Sequence, residues 1–258
     1  MMADETGLAI DNQNTSPQIT QGAVAFLDIL GFKGMWQSRN IKSIINQVST
    51  FHKSIDTYYK NAIESNKINP EFDIYPENLV INLISDTFVV SFEHGNPLIA
   101  LAMVSEITAS LISSYALKKP ETIDDAMPIF LRGAISYGEF YRTENMYIGQ
   151  AIDDAAEWFD KPEFIGAILT PRTGCLLKTF ENFNSKLIFD CSVKTKIGEV
   201  NLFCIDWASF ARDAHSTHDV LKSLYGAFIF GNKTIGLAHF EKYQNTERFV
   251  KRCLDRNT

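Results

Sequence analysis

Little in this chain is spaced for covalent or redox chemistry. Its four cysteines, Cys175, Cys191, Cys204 and Cys253, are scattered with no CxxC pair. That speaks against a zinc knuckle or a dithiol redox motif and predicts free thiols in a reducing compartment. No Ser–His–Asp or Cys–His set stands out, and His215-x-x-His218 has the spacing of a metal pair without a third ligand. Positive charge is short: 24 Lys and Arg face 31 Asp and Glu, a formal net charge of −7. A broad basic face for nucleic acid is therefore not expected. No apolar run approaches the roughly 20 residues of a bilayer span. The polar, acidic first residues do not read as a signal peptide. The expectation is a cytoplasmic protein with no membrane or nucleic-acid partner. Internal repeats and low-complexity segments are lacking too.

The chain of 258 residues is 45% hydrophobic and 21% charged, ample for a real core. Residues 1–21 read as a flexible tail, 22–206 as the main domain and 207–258 as a C-terminal helical extension. The stretch Ala23–Asp28 is an apolar run ending in a single carboxylate, then Gly31 and Phe32, then apolar residues at helical spacing over Gly34–Glu64, with a break suggested near Ser38-Arg39-Asn40. Two strand-like runs, Asn78–Ile84 and Thr87–Phe92, enclose only Ser85-Asp86, a tight hairpin with an acid at its tip. Pro97–Tyr115 reads as a second helix, opened by its proline. Ile129–Ser136 reads as a strand that turns at Tyr137-Gly138-Glu139 into a short strand near Phe140-Tyr141. Gln150–Phe159 is a third helix, and Ala167–Leu169, Leu187–Phe189 and Val200–Ile205 are short strands. Helices are expected over His218–Phe228 and Lys233–Cys253, and loops over Lys67–Glu77 and Ala116–Met127. This order predicts an α+β fold with a ferredoxin-like βαββαβ core and C-terminal extensions.

Asp28 at a strand end and Asp86 at a hairpin tip can grip a divalent metal together, with the Ile29 carbonyl as a third oxygen ligand. The bland alternatives are a helix cap for Asp28 and a turn acid for Asp86. Leu30-Gly31-Phe32 offers backbone N–H groups to phosphates, or is a plain strand-to-helix turn. Arg132, inside an apolar strand, needs an anionic partner. A phosphate or a salt bridge to a sheet-face or partner-chain acid would serve equally. Asp153 and Glu157 share one helix face, either part of a pocket or a solvated acidic surface. Tyr137, Tyr141 and Tyr147 can stack on a base or belong to the core.

Four segments, in one order, resemble class III nucleotidyl cyclases. Phe26-Leu27-Asp28-Ile29-Leu30-Gly31-Phe32 resembles their F-x-D-I-x-G-F motif, and Ser85–Phe92 their G-D hairpin with Ser in place of Gly. Leu131–Gly138 resembles the R-x-G-I-x-x-G strand in altered spacing, and Tyr147–Ala156 the G-x-x-V-N-x-A segment. The likeness spans roughly Ala23 to Leu169. It implies two Mn²⁺ or Mg²⁺ ions on Asp28, Ile29 and Asp86, and a catalytic part for Asp28, Asp86 and Arg132. It also implies nucleotide contacts from Phe26, Ile29, Leu30, Gly31, Phe32, Val80, Asn82, Met146 and Asp153. A head-to-tail homodimer with composite sites is implied, Asp28 and Asp86 facing Arg132, Met146 and Asp153 of the partner chain.

The departures carry information. Val80 stands where purine cyclases place a base-selecting polar residue, and the second base contact falls near Met146. The usual transition-state Asn and Arg fall at Asp153 and Glu157. The chain resembles most the bacterial pyrimidine cyclases of Pycsar antiphage defence. That implies conversion of UTP or CTP into a 3′,5′-cyclic monophosphate sensed by a separate effector protein, and the expectation here is UTP ahead of CTP. The alternatives are a degenerate nucleotide-binding domain without turnover, a purine cyclase, or an RNA-recognition module, against which the acidic charge counts. Ser85-Asp86-Thr87-Phe88 is unlike the hairpin motif of diguanylate cyclases.

Overall fold

A computed structural model describes residues 18–32, 40–65, 73–117, 128–143, 146–181, 183–215, 219–231 and 237–256. The tail before residue 18, the break at Ser38-Arg39, most of the two expected polar loops and His218 lie outside the described residues.

Strand β1 (Thr20–Ile29) is the spine of the sheet. It pairs antiparallel with β3 (Thr87–Glu93) on one side and β4 (Leu131–Arg142) on the other. β2 (Leu79–Ile84) pairs antiparallel with β3. The order β2-β3-β1-β4, with helices α1 (Ile41–Glu64) and α2 (Pro97–Ala116) as the crossovers, is the expected ferredoxin-like core. Beyond β4 the sheet continues through β6 (Gly166–Leu169), parallel to β4, then β8 (Gly198–Ile205) and β7 (Ile188–Thr195). β8 joins β6 through a single paired position, Ile168 opposite Cys204. The short β5 (Tyr147–Ile148) pairs with the end of β4.

Alternation along β1 explains the layers. Ala23, Ala25, Leu27 and Ile29 face the large core with Ile44, Val48 and Ile55 of α1 and Leu101, Val104 and Ile107 of α2. Val24 and Phe26 point to the opposite face and meet Val89, Phe140 and Ala151 under helix α3 (Gln150–Trp158). Asn40 and Asn96 cap α1 and α2, their side-chain oxygens accepting from Lys42 and Leu98 N–H at 2.9 Å.

Three expectations change. β4 is one continuous strand, without the turn at Tyr137-Gly138-Glu139. Gly138, read as a turn signal, instead lies against Gln150 and Ala151 of α3. α2 is long and apolar enough to cross a bilayer by length and composition. It is apolar all round because it is buried between the sheet and α5 (Trp207–His215), not because it meets lipid. Helices α4 (Pro171–Leu177) and α5 were not anticipated. The Thr170-Pro171 start of α4, with Thr170 as its cap, and Asp206, which accepts from Ser209 N–H at 2.9 Å, were the signals for them. Helices α6 (Val220–Gly231) and α7 (Leu237–Arg256) close the chain.

Candidate active site

Asp28 sits near the end of β1 between Thr87 and Arg132 in the register. The Ile29 N–H donates to the Asp86 carbonyl at 2.9 Å, which ties the hairpin tip to the strand end. The hairpin turn puts Ser85 at φ 59, a conformation that favours glycine and that Ser tolerates at a cost. Asp28 and Asp86 are thereby brought to one corner. Burial raises the Asp28 carboxyl above the usual Asp value, Arg132 pulls it down, and the negative charges of Asp86 and Asp160 push it up. Among the described residues no group of three or more His, Cys, Asp and Glu side chains converges. The corner offers two carboxylates.

Arg132 resolves one of the open alternatives. Its Nε donates to Asp28 Oδ2 at 3.1 Å, and its Nη1 to the Pro162 carbonyl at 3.3 Å and to Glu163 Oε1 at 3.5 Å. Arg132 is 8% exposed, and its guanidinium is neutralised by acids of its own chain. The expectation that Asp28 faces Arg132 of a partner chain is corrected: the two residues are register neighbours in one sheet.

The phosphate loop is also revised. Leu30 N–H donates to the Phe130 carbonyl at 2.8 Å, so it does not point into an open cradle. Gly31 has φ 78 with nothing near its missing Cβ, so glycine is there for backbone conformation rather than for close approach. Phe32 packs against the main core, while the Phe26 ring lies edge-on to Phe159 at 6.1 Å on the α3 side.

Val80 and Asn82 lie on the same sheet face as α3, paired with Ser91 and Val89 and through them aligned with Val24 and Phe26. Asn82 Nδ2 donates to the Tyr147 hydroxyl at 2.7 Å. Burial raises the Tyr147 hydroxyl, while Arg142, Asn82 and Ser91 pull it back. Arg142 donates to Ser91 Oγ at 2.9 Å and to the Glu77 carbonyl at 2.7 Å, and pairs with Glu93 at 2.5 Å. Arg142 and Glu163 escaped the reading of the sequence. Arg142 is ten positions from Arg132 on one strand, so the two share a face by parity. Nothing near Glu163 in sequence marks it.

Of the three candidate stacking tyrosines only Tyr147 is on this face. Tyr137 lies on the opposite face, its hydroxyl donating to the Gly95 carbonyl at 2.7 Å, and Tyr141 shares that side by alternation. Met146 is exposed just before β5. Asp153 and Glu157 are exposed on α3, and Asp154 is the acid that turns inward, accepting from Thr170 Oγ1 at 2.5 Å.

No protein-family model and no curated protein matches the chain. Solved structures do. The non-canonical dimeric guanylyl cyclase domain of the RhoGC fusion protein from the aquatic fungus Blastocladiella emersonii matches with a TM-score of 0.50 at 12% identity, over 73% of this chain and 97% of that one. The guanylate cyclase domain of RhGC from Catenaria anguillulae, in complex with GTP, matches with the same TM-score, identity and coverage. At that identity the likeness establishes the fold. The chain is an α+β protein with the mixed sheet and helices of class III nucleotidyl cyclase catalytic domains.

Proposed function

We propose that this protein is a metal-dependent nucleotide cyclase acting on a pyrimidine triphosphate, UTP ahead of CTP, with release of diphosphate. The observation that carries the reading is the corner where Ile29 N–H meets the Asp86 carbonyl and sets Asp86 beside the half-buried Asp28, on a cyclase fold. The donor set is hard oxygen, which suits Mg²⁺ or Mn²⁺. Such ions are commonly held by one or two carboxylates, with substrate phosphates filling the remaining positions. When bound, a pair of such ions lowers the pKa of the ribose 3′-hydroxyl and neutralises the triphosphate.

The chain's own residues position and select. Asp28 and Asp86 would hold the ions, with the Ile29 carbonyl as a further oxygen, and Arg132 is the cation that holds Asp28 before they bind. Val80 and Asn82 face the base, with Tyr147 fixing the Asn82 amide. Val80 offers no polar group to a purine, and a smaller base leaves room for the Tyr147 ring. The neighbouring structures are guanylyl cyclase domains, one described as a non-canonical dimer and one bound to GTP. In this reading the chain works as a homodimer, with Met146 and Asp153 contributed to the partner's site. Its place is the cytoplasm, and its cyclic product is an antiphage signal read by a separate effector protein. Incubation with ATP, GTP, CTP and UTP in Mn²⁺, followed by mass spectrometry, tests the reading. A cyclic pyrimidine nucleotide is expected, and faster cyclisation of ATP or GTP would overturn the pyrimidine assignment.

A further inference from the structure

We propose that Glu163 receives Arg132 when a divalent cation takes Asp28, and that helix α7, by holding Glu163, sets the metal affinity of the site. The inference rests on the metal reading of Asp28 given above.

Arg132 holds one oxygen of the carboxylate that the cation uses. Its Nε bonds Asp28 Oδ2 at 3.1 Å, so a cation on either oxygen of Asp28 meets like-charge repulsion from the guanidinium. Arg132 is 8% exposed, so it cannot retire into water, and leaving it unpaired is costly. One acid is already in place for it. Glu163 Oε1 lies 3.5 Å from Nη1, a distance that a small shift of the guanidinium would shorten into a strong pair. The Pro162 carbonyl, 3.3 Å from the same Nη1, steadies the transfer.

Glu163 is unusually well anchored. Its N–H donates to the Lys194 carbonyl at 3.0 Å, and its own carbonyl accepts from Asn245 Nδ2 at 3.0 Å. Two residues on, Ile165 N–H donates to Thr246 Oγ1 at 2.9 Å. Lys242 Nζ stands 3.7 Å from Glu163 Oε2. Lys242, Asn245 and Thr246 all belong to α7. The C-terminal helix therefore fixes the backbone of Glu163 and, through Lys242, competes with Arg132 for its charge. The line Lys242–Glu163–Arg132–Asp28 joins the C-terminal extension to the metal corner.

The test is a pair of double-mutant cycles on the full chain, reading Mn²⁺ binding from the free-ion EPR signal without nucleotide. Glu163→Gln should weaken Mn²⁺ binding about tenfold, because Arg132 then stays on Asp28. Arg132→Met should tighten binding, and Glu163→Gln should have no further effect in that background. The second cycle leaves Arg132 untouched and guards against misfolding of its variant. Lys242→Met should tighten binding, and that gain should vanish in the Glu163→Gln background. Effects that add independently in both cycles would overturn the relay and reduce Glu163 to a remote charge. Asp28→Ala serves as the separate control: if it binds Mn²⁺ like the parent chain, the metal reading itself fails, whatever the cycles show.

Discussion

Asn82 on β2 and Tyr147 on β5 are joined by a 2.7 Å hydrogen bond between residues 65 positions apart in sequence. The bond spends one Asn82 amide hydrogen on Tyr147, which orients the amide and leaves its oxygen free to accept. Uracil presents an N3 donor to such an acceptor, and cytosine presents its amino group. Tyr147→Phe should therefore change the ratio of UTP to CTP turnover by about tenfold, since a freed amide leaves the pocket edge unfixed. Competition kinetics with equal UTP and CTP check this. An unchanged ratio would remove Asn82 from base reading.

Asp28→Ala and Asp86→Ala should each abolish cyclisation while the fold persists. The loss should be at least about a thousandfold, as expected when a several-kcal/mol charge stabilisation disappears. Product mass spectrometry with Mn²⁺ reads the activity, and circular dichroism reads the fold. Full activity in either variant would end the metal assignment.

Shared active sites in a dimer predict complementation between different lesions. Asp28 and Arg132 lie in one chain's corner, so mixing chains altered at those two positions should restore nothing. Mixing Asp28→Ala with Asp153→Lys should restore about a quarter of parental activity, because half of the dimers then carry one intact site. Sedimentation of a fully active monomer would contradict this outcome.

Arg142 predicts a stability effect away from the corner of Asp28 and Asp86. Its side chain is 10% exposed and satisfies Glu93, Ser91 and the carbonyls of Glu77 and Asn78. Arg142→Met should cost about 3 kcal/mol, since it strands Glu93 and uncovers backbone acceptors. A urea midpoint unchanged from the parent chain would mean that solvent replaces those bonds freely.

Cys191 should show an unusual pH dependence. Its thiol is pulled below the usual cysteine value by hydrogen bonding with Cys204 and then by Arg252, whose Nη1 lies 3.7 Å from the sulfur. The thiolate is the reactive form and Cys191 is 7% exposed, so its alkylation should be slowed by burial yet persist to lower pH than for an equally covered ordinary thiol. Arg252→Met should move the midpoint of that profile upward and slow labelling at pH 7 several-fold. Peptide mapping after timed iodoacetamide exposure provides the measurement.

The corner of Asp28 and Asp86 was legible because its signals are local. A two-residue gap between alternating runs fixes a hairpin, and an acid closing an apolar run fixes a strand end. β4 misled because Gly138 carries the same letter in a turn as in a strand that a helix covers, and only its neighbours on α3 tell the two apart. The partners of Arg132 were not legible in full. The sequence said that a buried cation needs an anion, but the choice of Asp28 and Glu163, 104 and 31 residues away, is made by strand order. Leu30 shows the reverse error: its N–H looked available to phosphate until β4's approach supplied the Phe130 carbonyl.

The single paired position between β6 and β8 divides the sheet in a way its continuous strand order conceals. Little main-chain bonding crosses that seam, so the β7–β8 hairpin is seated by the bonds from Glu163 N–H to the Lys194 carbonyl and from Lys196 N–H to the Lys161 carbonyl at its far end, and by packing from α2, α4 and α7. The hairpin behaves as a tile glued along one edge. Deuterium should enter its amides in bursts that leave β1 and β3 protected, marking where loosening of this protein begins.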